Sequence, residues 1–309
     1  MDWFRKPITK LDDWRSRAEP EELREYDAFG PWIIEVRTEA EMPKHFRLGY
    51  DAHKNARYLI KVPIDVERRE ARPGMSLYRY VIAIHEEGAT MMRLVNEQIV
   101  SSRVKWADVV ALRRSTNLLL SRWSLLLSDG SDVTIDYNTV SSGIMDTISE
   151  FIRERCAWQI PTVTHPVSEK AVPIIDHLFK YHLSVAQRVG PQPVVAVHYE
   201  AKNQPCRNEA GKRRWTTGLM ILEGQSELTI VADDPPERRA FQSHYGVSST
   251  FIPYGRISSF SVMPASPMNP PQFQTLTMML ERQTIRQRCL NVSESIIEVF
   301  TARGIAQRT

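Results

Sequence analysis

The sequence predicts a mainly β, α+β fold: two antiparallel β-barrel or sandwich repeats, each closed by a C-terminal helix. Three observations carry this. Runs of branched and aromatic residues alternate over short spans between turn residues, as half-buried strands do. Two segments, VSSGIMDTISEFIRER and VSESIIEVFTARG, switch to a helical period. The same order, strands and then a helix, occurs twice along the chain in five matching blocks.

Taken in order, residues 1–57 read as an N-terminal arm lying on the first domain. The arm holds a short helix around Pro20–Tyr26, a strand-like run at Pro31–Val36 and an aromatic clasp at Phe29–Gly30–Pro31–Trp32. Residues 58–156 form the first domain. YLIKVPIDVERRE, LYRYVIAIHEEG, TMMRLVN and RVKWADVVALRRS are its first four strands, and LLLSRWSLLLSDGSDVTIDYN is a hairpin turning at Asp129–Gly130. The closing helix buries Ile144, Ile148, Phe151 and Ile152 behind an N-cap at Ser141 or Ser142. Residues 157–192 are a connector, with three prolines in QIPTVTHPVSEKAVP and a helix through Ile174, Leu178, Leu183 and Val185 that stops at Gly190–Pro191.

Residues 193–309 repeat the first domain. VVAVHYEAK answers the first strand, and RRWTTGLMILEGQSELTIV answers the next two, with Gly224 opposite Gly88. In STFIPYGRISSFSV, Ile252, Tyr254, Ile257 and Phe260 stand where Val104, Trp106, Val109 and Leu112 stand. FQTLTMMLERQTIRQRCLN answers the hairpin with a turn one residue shorter, placing Cys289 opposite Tyr137, and Ile296 and Phe300 answer Ile144 and Ile148. Two inserts, ADDPPERRAFQSHYGV and MPASPMNPP, distinguish the second copy. The second is too rich in proline for a strand interior.

The stretch from Ile82 to Arg155 resembles the bacterial pleckstrin-homology-like family: a strand ending in a small turn, a W-x-D-V/I step at Trp106, Asp108 and Val109, a hairpin and a closing helix. The second copy departs from the step, with Tyr254, Arg256 and Ile257, which weakens a functional reading of Asp108. Residues 1–57 and 157–192 fall outside the resemblance. It implies a curved antiparallel sheet capped by a helix. Such domains bind phosphoinositides in some cases and protein segments in others, so fold does not settle function.

The formal charge, 40 − 37 = +3, spread along 309 residues, gives no footprint for specific nucleic-acid binding. No apolar run approaches a transmembrane segment. Three scattered cysteines make no disulfide framework, which points to a reducing, cytoplasmic setting. The chemistry-bearing residues form no catalytic set. His177 and His182 point about 140° apart on a helix, and His45 and His53 lack further ligands, so neither a metal nor another cofactor is expected. Cys156 with His165 lacks an orienting group. Asp129/Asp132 and Asp233/Asp234 read as turn caps.

The function expected is a non-enzymatic interaction or scaffold protein with a protein partner or self-association. One alternative is an anion or lipid-headgroup module using the first-hairpin loops, through Arg68, Arg69 and Arg72 in one copy and Lys212, Arg213 and Arg214 in the other. Another is an enzyme with an interdomain site.

Overall fold

The computed structural model describes residues 15, 17–96, 98–157, 171–189, 194–207, 211–233, 246–263 and 271–308. Expectations at His165, Gly190–Pro191 and Asp234 lie outside them, as do most of the three-proline connector and of both inserts. The protein is mainly β, in several antiparallel sheets. None of these sheets closes into a barrel, which corrects that half of the fold expectation: each is open, with two edge strands. The chain divides into two compact units, residues 1–104 and 105–309.

In the first unit a five-stranded sheet runs β1-β2-β3-β4-β5, with β1 at Ile34–Glu35, β2 at Tyr58–Pro63, β3 at Tyr78–Ile84, β4 at Gly88–Val95 and β5 at Gln98–Lys105. Helix α1 spans Pro20–Ala28. Proline near its start costs no hydrogen bond, and Glu21 and Glu22 oppose the helix dipole. β1 pairs with β2 through Ile34↔Lys61. Tyr26 and Phe29 are buried with Ala71, Leu77 and Tyr78. Of the two aromatic rings in the expected clasp only Phe29 is buried, edge-on to Tyr78 at 6.2 Å; Trp32 is 48% exposed. A single-turn helix, α2, spans Tyr50–His53.

The second unit is organised by a seven-stranded sheet, β8-β7-β6-β14-β13-β12-β9. It contains β6 (Val109–Asn117), β7 (Leu120–Leu127), β8 (Asp132–Asn138), β9 (Val195–Glu200), β12 (Leu219–Glu223), β13 (Glu227–Asp233) and β14 (Val247–Pro253). A ribbon of β10 (Pro205–Arg207) and β11 (Arg213–Trp215) stands apart from it in pairing. A four-stranded sheet joins β15 (Ser259–Met263), β16 (Gln274–Leu280), β17 (Gln283–Cys289) and β18 (Ala306–Gln307). The helices are α3 (Ser142–Ala157), α4 (His177–Val189) and α5 (Glu294–Ala302).

RVKWADVVALRRS is two strands, not one. A 3-10 turn at Trp106–Asp108 breaks it, and an equal turn at Tyr254–Arg256 breaks STFIPYGRISSFSV. Trp106 and Tyr254 both open their turns and are both buried, as are Val104, Val109 and Leu112 with Ile252, Ile257 and Phe260. The glycine match fails. His85 N donates to Gly88 O at 2.8 Å, and Gly224 N to Glu227 O at 3.0 Å, so Gly224 takes the place of His85 in the turn. Asn138 caps the 3-10 turn preceding α3 by accepting from Val140 N, and Ser142 donates to Thr139 O. Met145 is buried on the inner face of α3, while Ile144 is only half-buried.

The core of the second unit includes Val110, Ile221, Leu228, Ile252, Phe260, Met278, Ile296 and Phe300. Phe260 and Phe300 are fully buried with ring centroids 4.6 Å apart, so α5 is anchored on β15 by an aromatic pair. Truncating Phe300 removes that pair and leaves a cavity. Phe300→Ala is expected to lower the unfolding free energy by about 3–5 kcal/mol in chemical denaturation.

Candidate functional site

The basic hairpins behave differently from one another. Arg68 is engaged with backbone. Its Nη1 donates to Phe29 O at 2.6 Å and to Tyr26 O, and its guanidinium stacks 4.0 Å above the Tyr26 ring. These are carbonyls at the C-terminal end of α1, where a helix leaves acceptors without partners and a cation is favoured. Arg72 donates from Nη1 to Arg69 O and Ala71 O, both at 2.7 Å, and Arg69 pairs with Glu67. This loop is bound up with its own chain. In the second hairpin Lys212, Arg213 and Arg214 are exposed; Arg213 lies opposite Arg207 in the β10–β11 ribbon. The two clusters belong to different compact units.

A second feature escaped sequence reasoning. β6 and β7 are joined by a tight turn, Leu118–Leu119, closed by the pair Asn117↔Leu120. Two-residue hairpin turns need left-handed backbone and favour Asn-Gly. Here Leu118 has φ of 55°, a strained position for a branched side chain. Leu118, Leu119, Leu120 and nearby Val140 are 59–68% exposed. The tip is held from below: Leu119 O accepts from Thr139 N at 2.9 Å, and the hydroxyls of Thr116, Ser121 and Thr139 form a chain with 3.2 and 2.9 Å links. The signal available in the sequence was NLLL between two strands where turn chemistry asks for Gly or Asn. It was read as part of a strand.

A third feature is a buried polar group. His198 and Glu200 are two apart on β9, so both side chains fall on one face. His198 Nε2 lies 3.0 Å from Glu200 Oε1. Glu200 Oε1 also accepts from Leu290 N at 2.6 Å and from Asn291 N at 3.5 Å. Cys289, at the end of β17, brings its thiol to the same place: the donor atoms of His198, Glu200 and Cys289 all lie within 4.8 Å of one another, and all three residues are buried. In the sequence Cys289 stands opposite Tyr137 of the first copy. No spacing in the sequence connects it to β9.

Cys156 is buried, with Sγ 3.8 Å from Trp106 O, and burial pushes its pKa up to about 12. It is a protonated thiol and a poor nucleophile. Asp129 is the turn cap expected, accepting from Ser131 N at 2.8 Å. Arg256, which replaces the acid of the step, donates to Ala107 O in the other 3-10 turn.

In the first unit His53 Nδ1 lies 3.3 Å from His85 Nε2. Burial lowers the pKa of both. The charge of His85 lowers His53 further, and that of Arg103 lowers His85 further. No family model matches the chain, and no curated protein matches it.

Two outcomes follow from this geometry. Arg68→Ala is expected to lower stability by roughly 1–2 kcal/mol, read by denaturant unfolding, since it removes charge-assisted bonds to the end of α1. The histidine pair binds fewer protons folded than unfolded. Its contribution is therefore intact above the ordinary value of 6.5 and is lost as pH falls through that value towards the lowered folded pKa. The thermal midpoint should drop on acidification from about pH 7 to pH 5, and His85→Gln should flatten that drop.

Proposed function

We propose that this protein is a non-enzymatic interaction protein, a scaffold built from two pleckstrin-homology-like domains, which holds a protein partner through the apolar tip of the β6–β7 hairpin. A cytoplasmic location accords with three buried free thiols. No described helix is long and apolar enough to cross a membrane.

The element order supports the domain reading. Four strands, a 3-10 turn, three strands and a helix occur as β2–β5, Trp106–Asp108, β6–β8 and α3. They recur as β9 and β12–β14, Tyr254–Arg256, β15–β17 and α5. The observation that carries the interaction reading is the tip itself. Three consecutive leucines at a hairpin turn, one at positive φ, work against both turn stability and solubility. Local strain held in place by surrounding hydrogen bonds marks functional loops, and a pre-ordered apolar tip loses little entropy on docking into a groove. The anion-binding alternative is left with the second hairpin, because Arg68 and Arg72 are engaged with backbone carbonyls.

A photo-crosslinking residue placed at position 119 in the native cell tests this. The expected result is a discrete protein adduct that is absent when the same group replaces exposed Asp132, the first residue of β8, opposite the far end of β7. Adducts with lipid alone, or the same adducts from both positions, would overturn the reading. In parallel, Leu118→Gly should raise stability by up to about 1 kcal/mol, because glycine tolerates positive φ, while weakening the adduct formed at position 119.

A further inference from the structure

The buried group on β9 and β17 plays no part in the tip, and its chemistry points elsewhere. Imidazole, carboxylate and thiolate are the three side-chain ligand types of zinc, and a four-coordinate zinc ion with bonds of about 2.0–2.3 Å holds its donors about 3.3–3.8 Å apart. The donor atoms of His198, Glu200 and Cys289 already lie within 4.8 Å of one another, with the imidazole and carboxylate atoms 3.0 Å apart. Small rotations of the side chains would bring all three to a common centre. We propose that His198, Glu200 and Cys289 bind a zinc ion.

Two further observations support the site. The carboxylate is oriented by backbone, as metal-binding carboxylates are: Leu290 N and Asn291 N both donate to Oε1, and no described residue donates to Oε2. These amides follow directly on Cys289, so one short piece of chain supplies the thiol and positions the carboxylate. Charge also balances. Glu200 is 6% exposed and borders a core that includes Val197, Leu276, Cys289 and Val292. A buried carboxylate needs a compensating charge, and a divalent cation neutralises one carboxylate and one thiolate together. Burial, and then the charge of Glu200, raise the pKa of the Cys289 thiol, so without a cation the proton stays on sulfur. On binding, the S–H bond breaks, the proton leaves to solvent, and the sulfur lone pair is donated to zinc; nothing is oxidised or reduced.

The site forms as β9 and β17 come together, so metal uptake is coupled to folding. Its fate is independent of the β6–β7 tip. The test uses the full chain, expressed without a histidine tag and refolded with zinc or cobalt(II). About one equivalent of zinc per chain is expected after dialysis. The cobalt form is expected to show thiolate-to-cobalt charge-transfer absorption in the near ultraviolet, together with the intense visible bands of four-coordinate cobalt. Cys289→Ser should abolish the charge-transfer band, and Cys156→Ser should leave it unchanged. If Cys289→Ser does not fold, the wild-type spectrum still decides. Folded wild-type protein that retains no zinc, or binds cobalt without a charge-transfer band, would overturn the proposal, and so would a band untouched in a folded Cys289→Ser variant.

Discussion

The backbone ladder between β6 and β14 is the constraint on which the second unit depends. Val247 to Phe251 pair antiparallel with Thr116 to Leu112, and Arg113 Nε reinforces the ladder with a 3.1 Å bond to Thr250 Oγ1, 137 residues away in sequence. Without it β6-β7-β8 and β14-β13-β12-β9 would be separate small sheets, each exposing an edge of unpaired amides and carbonyls. With it they form one seven-stranded sheet. The entropy of closing so long a loop grows only slowly with length, so a few extra ladder bonds and their side-chain contacts suffice to offset it.

Other contacts cluster where this ladder brings the two halves together. Arg153 on α3 pairs with Glu227 on β13, with Nε bonds of 3.1 and 3.2 Å, and stacks 4.0 Å over Phe251 of β14. Arg303, just past α5, makes the matching arrangement: it pairs with buried Glu223 at 2.7 Å and stacks 4.0 Å over Tyr254. Each closing helix is thus tied to the strand layer by an arginine that pairs with a carboxylate and covers an aromatic face. The β6–β7 tip and the buried cluster of β9 and β17 sit at opposite ends of the chemistry: one exposes apolar surface, the other encloses polar donors.

Local features of the fold were legible in the sequence because they obey local rules. Buried positions recur with the same spacing around Trp106 and Tyr254, Asp129–Gly130 turns a hairpin, and α1 begins at Pro20. The breaks at Trp106–Asp108 and Tyr254–Arg256 were hidden because a 3-10 turn flanked by strands leaves the branched-residue texture intact. Open sheets were misjudged for a different reason. Whether an edge closes a barrel or pairs with a distant strand depends on long-range partnering, and alternation along one strand carries no information about its partner. The same limit applied to the candidate sites. Arg68 looked available because its carbonyl partners at Tyr26 and Phe29 are distant in sequence. His198 and Glu200 could be placed on one face, but Cys289 arrives from another sheet.

Native-state hydrogen exchange resolved by residue tests the central ladder most directly. If β6 and β14 are interior neighbours in one sheet, the amides of residues 112–116 and 247–251 that bond across the ladder exchange together and rank with the slowest in the second unit. If those of β14 exchange fast on the side facing β6 while β12 and β13 stay protected, β14 is an edge strand and the continuous sheet does not exist.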